Sequence, residues 1–284
     1  MKKFFCVLMI LFFGASGCLA GQSLIIESIG TASMGDELSI NETMRKAKIN
    51  AKQNAVENAS TCIRSESVIK DFMTEKDLTE AYAQAEVKVI EIISGKWFQD
   101  PVSGKSYEIK IKAEVIPQTE NINGSAHVAK ALENPAGPLL VKVWADKKEY
   151  SQESKMKIYL KGNKPFFVRI LYKTADSRLI QLLPNPYRIK NYFSGGVVHE
   201  IPSGQDKYEL KVSPPFGQEK ILVYAGTVRL GDVGLAEAGS VYNVIDSEKK
   251  VSLKTRGIAF QARDENKRFA EFYESAIQVT TKAK

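Results

Sequence analysis

Residues that could do chemistry gather most densely between Pro184 and Gly196, in the run PNPYRIKNYFSGG. Tyr187, Tyr192 and Phe193 offer flat apolar faces, with Arg188 and Lys190 beside them and Asn185 at the turn before. Aromatic rings interleaved with cations suit stacking on sugar faces or docking to another protein. Asn185, Tyr187, Arg188, Tyr192 and Phe193 are therefore the candidate binding loop. The same residues could instead close the end of a hydrophobic core, since exposed and buried aromatics look alike in sequence.

Other chemistry is sparse. His127 and His199 are the only histidines. His199 falls in the strand pattern Val197, His199, Ile201, where packing is expected in place of base catalysis. Glu200 and Asp206 are the acids nearest the aromatic loop, and neither stands in a pattern that marks a general acid or base. No Gly-x-Ser-x-Gly elbow, glycine-rich phosphate loop, His-Glu-x-x-His or Cys-x-x-Cys occurs, so the usual nucleophile, phosphate and zinc templates are absent. No metal site, cofactor or catalytic residue is expected, and the chain reads as a non-enzyme.

The first twenty residues read as a targeting segment. Lys2 and Lys3 precede an apolar core from Phe4 to Phe13, and small residues follow, the plan of a secretory signal peptide. Two exits are compatible with it. Cleavage after Ala20 gives a mature chain starting at Gly21, whereas Ala15-Ser16-Gly17-Cys18 resembles a bacterial lipobox with Cys18 lipidated. An exported protein of the periplasm or outer membrane is expected, attached to a membrane only through such a lipid. With Cys6 removed and Cys18 removed or acylated, Cys62 remains alone, so the mature chain has no internal disulfide.

Composition adds limits. The 284 residues are 44% apolar, enough for a substantial core, and the formal charge is +7. Without Lys2 and Lys3 it falls to +5, 38 basic against 33 acidic residues, spread along the chain. That distribution suits anionic envelope surroundings and excludes the gathered basic face a nucleic-acid groove needs.

The elements that must position the loop follow from periodicity. Leu24–Ala32 reads as a strand. Ser39 and Glu42 form a capping box, after which Met44, Ala47, Ala51, Ala55, Ala59 and Cys62 recur at helical spacing. A stripe of alanines lets this helix lie very close to a sheet. Residues 65–85 read as an extended piece near Val68 and a short helix over 78–83. Val87–Phe98 and Tyr107–Ile116 form a hairpin, the second strand alternating as though one face were wet. Residues 22–117 are thus expected as an α+β domain, a helix on an antiparallel sheet, followed by a linker over 118–137 rich in chain breakers.

Beyond Pro138 the pattern turns to short strands. Leu139–Trp144 and Met156–Leu160 alternate, and Phe166–Lys173 places Phe166, Val168, Ile170 and Tyr172 opposite Arg169 and Lys173, as a half-buried strand would. Ala175-Asp176-Ser177 turns the chain into a strand ending at Leu183. Val197–Ile201, Tyr208–Val212 and Lys220–Val228 complete an all-β, Ig-like sandwich over 138–284. In its tail, 234–244 reads as a short helix, 251–260 and 274–281 as strands, and 264–271 as a turn or helix start.

Several of these signals coincide with a known pattern. Tyr150-Ser151-Gln152-Glu153, Leu183-Pro184-Asn185, the aromatic loop, Ile201-Pro202 and Pro215-Phe216-Gly217-Gln218-Glu219 make Pro138–Val228 resemble the bacterial exported family called domain of unknown function 4384. Thr255-Arg256-Gly257 and a last strand ending at Thr280-Thr281 are similar to that family's C-terminal extension. Through its alanine-rich helix and strand pair, 22–117 resembles the N-terminal domain of flagellar assembly protein T and small outer-envelope lipoproteins. The resemblance implies an envelope protein without known chemistry. The expected function is a periplasmic or lipid-anchored interaction or assembly module whose partners are envelope proteins, with binding of cell-wall polymer, a glycan or peptidoglycan, as the alternative.

Overall fold

The computed structural model describes residues 21–35, 38–66, 81–82, 84–118, 129, 131–239, 241–257 and 269–284, with the side chains of 63–66 outside the description. The leader with Cys18, His127 and most of the expected 65–85 and linker segments fall outside these residues.

Strands dominate. β1 (Gly21–Ser33), β2 (Glu86–Asp100) and β3 (Gly104–Ile116) follow the helix-and-hairpin expectation, with α1 (Ile40–Glu66) after β1. The capping box at its start is formed: the Ser39 amide donates to Glu42 at 2.9 Å and the Glu42 amide to the Ser39 hydroxyl at 3.3 Å. The Ser39 hydroxyl, donating to the Glu42 carboxylate at 2.6 Å, and then the Ser39 amide hold that carboxyl below its ordinary pKa. The buried stripe runs through Thr43, Ala47, Ala51, Ala55 and Ala59. Met44, expected on that stripe, is exposed, because a strict four-residue step selects Thr43 as its first member. Cys62 closes the stripe half-buried.

After the linker come β4 (Val141–Ala145), β5 (Glu149–Ser151), β6 (Lys155–Met156), β7 (Ile158–Gly162), β8 (Phe166–Lys173) and β9 (Leu179–Leu183). Next are β10 (Tyr192–Phe193), β11 (Val198–Ile201), β12 (Leu210–Lys211) and β13 (Gln218–Gly226). The tail holds β14 (Leu235–Ala238), β15 (Val241–Val244), α2 (Glu248–Thr255) and β16 (Phe269–Lys282). Where a short helix was expected, β14 and β15 form a hairpin around Gly239 at φ 64°, and β15 pairs with β9. Cross-strand pairing has overridden the helical preference of Leu-Ala-Glu-Ala. Residues 251–255 are helical where a strand over 251–260 was expected, and 258–260 of that stretch lie outside the described residues. Only Val251 and Thr255 are buried there, one turn apart, too short a pattern to fix a period.

One eleven-stranded sheet organises the chain, its path running β14-β15-β9-β8-β13-β16-β1-β3-β2. β10 adds to β8, and β5 runs parallel to β16. A three-stranded sheet, β11-β7-β4, lies apart from it. The join is β16, whose Phe269–Glu274 pairs with β1 and whose Phe272–Thr280 pairs with β13. Strands of the N-terminal α+β segment and of the C-terminal β segment thereby share one sheet.

Alternation then sorts the cores. Leu24 and Ile26 of β1 meet the alanines of α1, and Ile221 and Val223 of β13 meet Ile158 and Leu160 of the small sheet on the same face. On the reverse face Ile25, Leu222, Tyr224 and Phe272 pack around Val251 of α2. This second cover corrects two expectations. β3 is not wet along its length, since Lys112 and Glu114 are buried, and β8 is covered on both faces, since Arg169 and Leu171 are buried as well. A strand buried on both sides still alternates when ion pairs satisfy the polar face. Here Arg256 donates to Glu114 at 2.7 Å and to Glu274 at 2.5 Å, and Arg169 donates to Gln181 and the Thr255 hydroxyl, each at 3.1 Å.

Candidate functional site

The candidate loop leaves β9 and returns as β10, so both ends are fixed to the same strand of the long sheet, β8. Asn185 sets its geometry. Buried, it donates to the Leu182 carbonyl at 2.7 Å, while its side-chain oxygen accepts the amides of Tyr187 and Arg188 at 2.9 and 2.8 Å. That is an Asx turn, and it closes with backbone bonds between Asn185 and Arg188.

Arg188 braces the loop from the side. It donates to Asp206 at 2.7 Å and lies over the Phe193 ring, 5.1 Å from its centroid. Burial opposes ionisation of Asp206, but hydrogen bonds from Ser203 and the Arg188 guanidinium outweigh it and hold the carboxyl below its ordinary range. The Asn191 amide donates to the Val168 carbonyl at 3.0 Å. Phe193 is only 4% exposed and stacks on Phe166, with the His199 ring edge-on at 4.8 Å. Nε2 of that histidine lies 2.9 Å from the Ser194 carbonyl oxygen.

The five candidates therefore divide. Asn185 and Phe193 are parts of the scaffold, and Arg188 is held in an ion pair. Tyr187 and Tyr192 are exposed, the first stacked on Tyr208 at 6.1 Å and the second tilted against Phe167 at 4.8 Å. Burial pushes the Tyr208 phenol up, with Asn185 acting against that shift, and its buried hydroxyl lacks a hydrogen bond of ordinary geometry. Sequence reading passed over Ile189, which is 80% exposed, the most solvent-facing of the loop's apolar side chains. Its signal was present: an isoleucine between Arg188 and Lys190 in a turn-rich run has no regular pattern to bury it. Val197 and Val198 continue the exposed apolar surface past the glycines.

Chemically, such a loop offers apolar contact and ring stacking beside one cation, Lys190, that has no carboxylate partner among the described residues. Glu200 is paired with Lys157, and Asp206 with Arg188, so both acids near the loop serve as ion-pair partners. Elsewhere an open cleft between α1 and β1 holds the Glu27–Lys110 pair, 2.7 Å apart, and another opens between the β8–β9 turn and the start of α2. Among the described residues no group of three or more His, Cys, Asp or Glu is placed to hold a metal ion. No helix among them is long and apolar enough to cross a membrane.

Residues 149–229 match the family described as Domain of unknown function (DUF4384). The match runs from β5 past the end of β13 and contains the whole candidate loop. No curated protein matches the chain.

Proposed function

We propose that the protein is a non-enzymatic component of the bacterial cell envelope, exported to the periplasm or held at the outer membrane by a lipid on Cys18, and that it works as an interaction or assembly module. The observation that carries this reading is the loop from Asn185 to Phe193. A backbone fixed by Asn185, Arg188 and Phe193 displays Tyr187, Ile189 and Tyr192 to solvent. Rigid display of apolar and aromatic side chains lowers the ordering cost of binding and marks a contact surface. The finer fold reading, an Ig-like sandwich for 138–284, belongs to the same proposal. So does the likeness of 22–117 to the N-terminal domain of flagellar assembly protein T and small outer-envelope lipoproteins.

A photo-reactive residue placed at Tyr192 in cells tests this. Crosslinks to one defined envelope component, lost on Tyr187→Ala with Ile189→Ser, are expected. Crosslinks absent at Tyr192 but present at an exposed site remote from the loop, such as Val102, would contradict it. Retention on purified cell wall that depends on the same side chains would favour the glycan reading, in which the two tyrosines stack on sugars.

A further inference from the structure

We infer that the surface contacted by the 185–198 loop is an anionic lipid bilayer, an inference that rests on reading this loop as a contact surface. Three observations converge. First, the loop presents an apolar side chain to solvent: Ile189 is 80% exposed, and the two clefts described above are lined by neither it nor its neighbours. A fluid bilayer accepts a projecting apolar side chain without a preformed groove, whereas a folded partner must supply one.

Second, the residue types follow the layering of a membrane interface. Ile189 projects between Tyr187 and Tyr192, both about half-exposed rings with a polar tip, the side chains that settle at headgroup depth. Lys190 beside them is exposed, and the acids closest to the loop in sequence, Glu200 and Asp206, are already paired with Lys157 and Arg188. Among the described residues Lys190 thus keeps a positive charge with no carboxylate partner, complementary to phosphate headgroups.

Third, the loop and the mature N-terminus share a row of the sheet. Ser23, Phe272, Gly226, Phe167 and Tyr192 stand in register across β1, β16, β13, β8 and β10. Four strand spacings separate the ends of that row, about 19 Å across the sheet. A lipid on Cys18 would therefore tether the chain at a point from which this loop reaches the same membrane.

The test uses the chain from Gly21 to Lys284 without lipid, floated with phosphatidylglycerol-containing vesicles and with pure phosphatidylcholine vesicles. Binding to the first is expected, weakened by added salt and reduced about tenfold or more by Ile189→Ser with Lys190→Gln. Both positions are solvent-exposed, and circular dichroism serves to check that the variant folds. Equal binding to both vesicle types, or binding that the variant retains, would overturn the inference. Failure to float, with loop-dependent retention on purified cell wall, would overturn it while leaving the contact-surface reading intact. Failure of both assays would remove the two together.

Discussion

Gly30 and Ala51 touch backbone to backbone: a Cβ built on Gly30 would lie 2.2 Å from the Ala51 amide nitrogen and 2.3 Å from the Ala47 carbonyl oxygen. Helix α1 rests directly on β1 there, and the Ser28 hydroxyl donates to the Ala51 carbonyl at 2.6 Å. Neither neighbour is a flexible side-chain end, so Gly30→Ala forces the helix off the sheet. A loss of about 2–3 kcal/mol is expected in urea unfolding, and an unchanged midpoint would show that the two layers are less closely seated.

Arg256 ties α2 to the reverse face of the sheet through Glu114 and Glu274, and its guanidinium lies 4.6 Å from the Phe272 ring centroid. Burial opposes its charge, yet the two carboxylates more than restore it and raise its pKa. Arg256→Ala strands Glu114, which is 3% exposed, and should cost about 3–5 kcal/mol. Removing both sides, Arg256→Met with Glu114→Gln, should recover part of that loss. Chemical denaturation of the three forms gives the comparison, and a double variant no better than the single would argue against a buried unpaired charge as the cause.

Asp246 supplies the pH dependence. The Lys254 hydrogen bond, then the Gly234 amide, hold its carboxyl far below the ordinary carboxylate value. A depressed folded-state pKa stabilises fully above the unfolded value, roughly 3.9, and the contribution fades as pH falls from there toward the folded-state value. Asp246→Asn should therefore lower stability by a constant amount from neutral pH to about 4.5, with the gap to the parent narrowing below it. Parallel urea titrations from pH 7 to 3 decide this. A gap that keeps its size to the acid end would mean that the aspartate acts through shape alone.

The loop predicts an asymmetry between adjacent residues. Phe193→Ala opens the core where Phe193 meets Phe166 and should cost about 3–5 kcal/mol, while Tyr192→Ala should stay within about 1 kcal/mol. Thermal melts of the two separate them. Comparable losses would mean that Tyr192 is also part of the support, and it could then no longer serve as a binding probe.

Much of this architecture was legible in residue order. The Ser39–Glu42 box and the four-residue alanine step announced a helix seated on a sheet, and Tyr107–Val115 alternated as its neighbouring strand does. What the order concealed was the second cover. Glu114 and Arg169 look like solvent-facing charges until Arg256 and Thr255, more than eighty residues later in the chain, arrive to satisfy them. Helix α2 gave no readable period because only two of its side chains are buried. The loop showed the same limit. Its aromatics were visible as a group, but the assignment of Phe193 to the core and Tyr192 to solvent depends on β10 pairing with β8, which alternation over two residues does not reveal. Ile189 had a signal, its place between two cations in a turn-rich run, but an isolated aliphatic residue is weighed as core before such a context is considered.

The most direct measurement is equilibrium binding of the Gly21–Lys284 chain to isolated envelope fractions, comparing the parent with a Tyr187→Ala, Ile189→Ser, Tyr192→Ala variant of matched stability. If the loop is the working surface, the variant should bind at least about tenfold more weakly. Undiminished binding by a folded variant would contradict the account.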